Sequence, residues 1–264
     1  YTENMRAAKT TSTFILNGDE TETFEPRHTF YGFRYIKIEG LEGELRLEDF
    51  EAIPICSGFD RIGEFSSSNP IINQLQHNIE WGFWGNFVDV PTDCPQRDER
   101  LGWTGDAQVF FRTASFLGKV DNFFNKWLSD LKADQRHDGR VPRIIPDTYS
   151  NGDYRTAATG WADASVIIPW NHYMAFGNVN ILEQQYNSMK GWVDYMVSQS
   201  KDRGWLWNNG SHYGDWLFYS LSNDPGGQSA VTSSHLVAQC FFANSADLVS
   251  RTAKLLGKQK DADD

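Results

Sequence analysis

From Asn69 onward, apolar residues return at three- and four-residue steps in one stretch after another, with long polar connections between the stretches. A chain patterned in this way hides its apolar faces by packing helix against helix. The first helix opens at Asn69-Pro70, an N-cap followed by a proline in the first turn, and carries Ile71, Ile72, Leu75, Ile79 and Phe83. A second starts at Thr104, presents Ala107, Phe110, Phe111, Ala114 and Leu117, and stops at Gly118. A third runs from about Asp121 through Phe124, Trp127, Leu128 and Leu131. Residues 163–176 read as a fourth, which Pro169 should bend unless the helix starts late enough to put it in the first turn. Stripes over 179–199 and 232–256 complete a series of six helices.

Upstream the period changes. Residues 28–40 and 44–56 alternate apolar and polar side chains, rich in β-branched and aromatic types, with Gly40, Gly43 and Gly58 as turn residues. These are expected to be a few antiparallel strands. Too few are present to close a sheet pair, so residues 1–60 read as the end of a β-sandwich domain and 61–264 as a separate helical domain. The acidic end, KDADD, reads as solvated surface.

Charge and cysteine usage narrow the chemistry. A net charge of −11 disfavours phosphate polyanions and anionic lipid, so no nucleic-acid or membrane partner is expected. The opening residues lack a basic segment followed by an apolar one, so no signal peptide is visible. Cys56, Cys94 and Cys240 are odd in number and far apart, which argues against a disulfide framework or a zinc ribbon. No two histidines stand at HxH or HxxxH spacing, so no metal is expected, and only His212, in a glycine-rich loop, is a candidate to approach a substrate.

The connections are where chemistry would sit. Three are long, 88–103, 137–161 and 205–216, and each sets carboxylates beside tryptophan. The densest segment, TDCPQRDERLGWTGD at 92–106, brings Asp93, Asp98, Glu99 and Asp106 together with Arg97, Arg100 and Trp103. An N-cap with compensating ion pairs would use the same residues. Against that plain reading, prolines stiffen the loop, Trp103 stands among charges, and the carboxylates outnumber the arginines. Crowded carboxylates against apolar surface keep one of their number protonated, as a general acid requires. Glycoside hydrolysis also needs a second carboxylate across the sugar ring. Asp147, Asp153, Asp163 and Asp215 are available, though each reads more readily as a cap or loop hydrogen bond, Asp163 above all because it begins a helix. Cys94 has no local histidine partner and reads as buried and structural.

DCPQRDERLGWTGD (93–106) resembles the signature of the bacterial and fungal α-L-rhamnosidases, inverting glycoside hydrolases that release terminal L-rhamnose. GWADASVIIPW (160–170), YGDWL (213–217) and TFYGFRYIKI (29–38) resemble further segments of that family. The resemblance implies a mostly α chain: a partial (α/α)6 barrel holding about half of its helices, preceded by a few strands from the end of a β-sandwich. It implies a rhamnose-containing glycoside or polysaccharide as substrate, and no cofactor. Glu99 matches the family's general acid, while Asp93, Trp103 and Asp106 match side chains lining the rhamnose site. Arg97 would hold or tune those carboxylates, and Trp161 and Asp215 match as sugar-facing loop residues. The family's general base is expected beyond residue 264, with the remainder of the catalytic domain, so the isolated chain is expected to have little or no activity. The alternatives are another (α/α)6 carbohydrate enzyme, or a noncatalytic sugar-binding fragment in which Trp103, Trp161, Trp205, Trp207 and Trp216 stack on sugars.

Overall fold

A computed structural model describes residues 2–149, 157–217 and 232–264. Helix α1 spans Pro70–Asn86, and the Asn69 side-chain oxygen accepts the Ile71 N–H at 2.9 Å, so the cap and the first-turn proline act as their sequence dictates. Strands β1 (Phe87–Val88) and β2 (Val90–Pro91) form a two-residue antiparallel hairpin turning on Asp89. Helices α2 (Thr104–Leu117) and α3 (Asp121–Asp134) follow, then α4 (Ala164–Phe176), α5 (Asn180–Ser200) and α6 (Ser234–Leu255). Helix α7, Gln259–Asp263, ends the chain.

Helix α4 is apolar on nearly every side, which suits only a position with neighbours all round. It packs against α2, α3, α5 and α6, and Val166, Ile168 and Trp170 are buried. Pro169 lies inside α4, past the first turn, so of the two placements expected for it the interior one holds. The hairpin 137–140 presses onto α5 through Gly139, whose φ is +95° and where a Cβ would stand 2.0 Å from the Gly191 carbonyl oxygen. Only glycine fits there.

An aromatic cluster supports the start of the motif loop. Phe87 is its hub, stacked on Phe123 at 4.9 Å and edge-on to Phe83, Phe110 and Phe124 at 4.8, 5.9 and 5.8 Å. Phe59, from the segment before α1, closes the cluster at 5.0 Å from Phe83. Much of the aromatic content of the chain is therefore core, with Trp127 and Trp192 wholly buried as well.

The structure departs from the sequence reading in three places. Among the described residues before α1 there is no strand, only short 3-10 turns at Glu3–Met5 and Leu47–Asp49. Residues 28–40 and 44–56 carry no ladder hydrogen bonds, and Tyr35 and Ile36 point to solvent; alternation makes a segment fit for a sheet, but a strand forms only against a paired neighbour. Second, the stripe of α1 is covered only at its C-terminal end. Phe83 is buried while Ile71, Ile72 and Leu75 are exposed, because periodicity identifies a face and not what covers it. Third, the acidic tail is not a solvated strand of chain but α7, docked on α5 and α6. Ala262 is buried beside Tyr186 and Ala253, and the Tyr186 hydroxyl donates to Asp261 at 2.7 Å. Among the described residues no helix is long and apolar enough to cross a membrane.

Phe87→Ala empties the hub of the aromatic cluster. It is expected to lower unfolding free energy by about 3–5 kcal/mol, measured by urea titration followed by circular dichroism.

Candidate active site

The loop between β2 and α2 is tied by the backbone and side chain of one residue. The Asp93 N–H donates to the Leu101 carbonyl at 3.1 Å, and the Leu101 N–H returns to Asp93 Oδ1 at 3.0 Å. Asp93 Oδ2 accepts from Arg97 Nη2 at 2.6 Å, while Arg97 Nε donates to Cys94 Sγ at 3.1 Å. The same guanidinium lies 3.4 Å from Glu99 Oε2. Hydrogen bonds to Cys94 and Asp93, with the Glu99 charge, hold the Arg97 pKa well above the ordinary guanidinium value. Cys94 is buried, as expected.

The loop leads into α2 under a clamp from 141–145. The Thr104 N–H and hydroxyl donate to the Arg143 carbonyl at 2.9 and 3.0 Å, and the Ile145 N–H donates to the Gly102 carbonyl at 2.8 Å. Helix α2 therefore begins at a fixed height, with Gly105 and Asp106 in its first turn.

A cavity of ≈ 630 Å³ opens over this turn. Its lining includes Asp93, Gly105 and Asp106, the tryptophans Trp161 and Trp216, and the apolar rings of Phe83, Phe87 and Phe110. The Trp161 ring lies flat on Gly105, where any Cβ would stand 2.7 Å from the indole. Tyr213, itself outside the lining, stands 4.3 Å from Trp161 and 4.9 Å from Trp216 and links the two rings. Behind it Arg143, almost fully buried, stacks over Tyr213 at 4.7 Å and donates to its hydroxyl at 2.6 Å.

Of the residues singled out from sequence, Asp93, Asp106 and Trp161 meet in this cavity. Arg97 joins it through Asp93. Glu99 is not part of the lining; its Oε2 is bound by Arg6 Nη1 at 2.8 Å, and Arg6 comes from the segment before the helices. Trp103 is half-buried and outside the lining, its indole N–H buried and without a partner. Asp215 is half-buried and outside the lining, although its neighbours Gly214 and Trp216 belong to it. The carboxyl that the surroundings push upward is Asp106. Although its side chain reaches solvent, burial of the carboxyl raises its pKa, the charges of Asp93 and Glu99 add to that, and Arg97 opposes it.

Two of the other carboxylates considered from sequence, Asp163 and Asp147, have partners away from the cavity lining. Asp163 is wholly buried and makes no cap bond to its own helix; it binds donors from three segments instead. Asp147 pairs with Arg136 and accepts the Tyr149 N–H at 3.0 Å. Asp153 lies outside the described residues. His212 does not face the cavity. Its Nδ1 accepts the Thr159 N–H at 3.2 Å and its Nε2 lies 2.9 Å from the Asn209 carbonyl, and burial pushes its pKa down. It is a neutral pin between two loops. Trp207 is buried with its indole N–H on Thr159, so it stacks on no sugar, and Trp205 is exposed outside the lining. Among the described residues no group of three or more His, Cys, Asp or Glu could hold a metal ion. Sequence reasoning did not single out Arg143, which carries no local motif, nor Tyr213, although that tyrosine opens the YGDWL segment at 213–217.

Residues 60–264 match the model of the bacterial alpha-L-rhamnosidase 6 hairpin glycosidase domain, and residues 1–56 that of the bacterial alpha-L-rhamnosidase concanavalin-like domain. The chain belongs to the bacterial alpha-L-rhamnosidase family. It is 40% identical over 263 residues to an alpha-L-rhamnosidase of Formosa agariphila, covering 99% of this chain and 28% of that protein. An alpha-L-rhamnosidase of Streptomyces avermitilis is 38% identical, over 98% of this chain and 24% of its own. The crystal structure of Streptomyces avermitilis alpha-L-rhamnosidase complexed with L-rhamnose superposes with a TM-score of 0.82 at 37% identity, covering 97% of this chain and 24% of that one. That of the Aspergillus terreus enzyme gives 0.72 at 39% identity, covering 79% and 24%. The chain thus spans about a quarter of the length of the curated relatives it matches.

Folding raises the Asp106 pKa, so its ionised form is disfavoured in the folded state. The penalty is absent below the unfolded value of about 4 and grows as pH rises through the folded one. Asp106→Asn is therefore expected to melt higher than the parent at pH 7, with the difference closing toward pH 3 in parallel calorimetric scans.

Proposed function

We propose that this chain forms part of an enzyme that hydrolyses terminal α-L-rhamnosides with inversion, and that the ≈ 630 Å³ cavity is its rhamnose site. The observation that carries the reading is the meeting of Asp93 and Asp106 with Trp161 and the rings of Phe83, Phe87 and Phe110 in one cavity. A deoxy sugar presents hydroxyls that carboxylates accept from and a methyl-bearing face that suits indole and phenyl rings. In this reading Asp93, Arg97, Trp103, Asp106, Trp161 and Asp215 bind the sugar, directly or by holding the residues that do, and no cofactor takes part. The substrate is a rhamnose-containing glycoside or polysaccharide.

Glu99 is proposed as the general acid. Support comes from Arg97, which bonds Asp93 on the cavity wall and lies 3.4 Å from Glu99, so that the two carboxylates are held as one unit. A general acid must carry a proton to the leaving oxygen. Both guanidinium contacts fall on Oε2, and Oε1 makes no hydrogen bond among the described residues, so Oε1 is the oxygen available to carry it. Inversion requires a second carboxylate about 6.5–9.5 Å away to activate water. That base is assigned to the part of the relatives' length that this chain does not span. In the same reading residues 1–60 are β-sandwich material and 61–264 are the first half of an (α/α)6 barrel.

L-rhamnose is expected to quench tryptophan fluorescence of this chain saturably, and Trp161→Ala to weaken the affinity at least about tenfold, the scale of one lost stacking contact. No saturable response to L-rhamnose would sink the reading. In the protein with a complete catalytic domain, Glu99→Gln is expected to lower turnover of an aryl α-L-rhamnoside by about 10²–10⁴ while rhamnose affinity stays within about twofold. Near-parental turnover would remove Glu99 from the acid role.

A further inference from the structure

Asp163 has no place in the chemistry above, yet it is the most fully enclosed carboxylate among the described residues, with no exposed surface. Its two oxygens serve different parts of the molecule. Oδ1 accepts from Trp192 Nε1 on α5 at 3.0 Å and from Ser245 Oγ on α6 at 2.6 Å. Oδ2 accepts the Gly160 N–H at 2.7 Å. One oxygen joins two helices of the bundle, and the other holds a turn.

That turn is the cavity wall. Thr159, Gly160 and Trp161 all line the cavity, and Gly160 sits at φ +87°. The turn closes by Trp161 N–H to the Ala158 carbonyl at 3.1 Å and Ala162 N–H to the same oxygen at 2.8 Å. Its product is the seat of Trp161 on Gly105, one residue before Asp106. We infer that Asp163 is a positioning residue of the rhamnose site: by holding the Gly160 N–H against the α5–α6 seam, it fixes the plane of Trp161 over the first turn of α2. The inference rests on the rhamnoside reading of the cavity.

A buried carboxyl is an expensive way to fill space. Burial raises its pKa, against the hydrogen bonds from Ser245, Trp192 and Gly160. An apolar residue of similar size would pack between α5 and α6 but would leave the Gly160 N–H without an acceptor. The carboxylate supplies two acceptors facing opposite ways, which ties the platform to the bundle.

Two substitutions separate the two oxygens. Asp163→Asn keeps Oδ1 for Trp192 and Ser245 and replaces Oδ2 with an amino group, which cannot accept from Gly160. Ser245→Ala removes a bond on the bundle side and leaves the turn tied. In this chain, Asp163→Asn is expected to speed hydrogen exchange at the Gly160 and Trp161 amides at least about tenfold and to weaken L-rhamnose binding at least about tenfold. Ser245→Ala is expected to lower the melting temperature while leaving L-rhamnose affinity within about twofold. Asp163→Asn binding within twofold of the parent, or Ser245→Ala losing as much affinity as Asp163→Asn, would overturn the positioning role.

Amide exchange reads the turn with no ligand present, so the two readings fail separately. If Trp161→Ala binds L-rhamnose like the parent, the rhamnose reading of this wall is lost; if exchange at Gly160 is unchanged in Asp163→Asn, the positioning role is lost. Should Asp163→Asn not fold, the parent chain decides. Its Gly160 amide is expected to be protected, and saturating L-rhamnose to slow its exchange further; an unprotected amide, or one indifferent to L-rhamnose, overturns the inference.

Discussion

The site depends on a carboxylate that closes its own loop. A loop that leaves a hairpin and enters a helix must satisfy its polar backbone groups without a ladder to do so. Here Asp93 exchanges bonds with Leu101 through both its N–H and Oδ1, which pinches the excursion of residues 94–100 at its neck. With Oδ1 so occupied, Oδ2 is left to take Arg97, and Arg97 in turn reaches Cys94 and Glu99. The positions of a guanidinium and a second carboxylate thus follow from one local closure. The clamp from Arg143 and Ile145 then fixes where α2 begins, and with it Asp106.

What could be read in the sequence was whatever is decided within a few residues. The starts of α1, α2 and α3 were legible because an N-cap, a proline, a glycine stop and a period of three to four residues are local facts. The meeting of Asp93, Asp106 and Trp161 was legible as a grouping, though not as a geometry. What was illegible depends on distant partners. Asp163 has the local pattern of an N-cap, and only Trp192 and Ser245, 29 and 82 residues further on, make it a buried tie instead. Trp207 and Trp161 look alike as loop tryptophans, but one is core and the other is cavity wall. Residues 28–56 have a sheet pattern without a sheet among the described residues, because pairing is not written in either strand alone.

Net charge and local charge tell different stories here. The chain carries −11 overall, which bears on its long-range partners. Within the site, however, Asp93 lies against Arg97 and Glu99 against Arg6, and burial raises the Asp106 pKa. A wall of that kind offers acceptors with little uncompensated charge, which suits an uncharged polyol better than a cation or an anion.

The motif loop is also where the two matched segments touch. Arg6 reaches Glu99, Arg100 donates to the Phe30 carbonyl at 2.9 Å and stacks over its ring, and Gly32 lies so close to the loop that a Cβ would stand 2.8 Å from Gln96. Arg100 takes a φ of +32°, a conformation an arginine rarely adopts, and the contacts with Phe30 are what its side chain gains there. Three contacts from residues 6–32 thus converge on residues 96–100, the outer edge of the loop, while Asp93 and Leu101 close its neck from within. The carboxylate proposed to act as acid sits between those two constraints. Its geometry is therefore set jointly by the helical segment that carries it and by the segment before the helices, and neither alone would specify where Oε1 points.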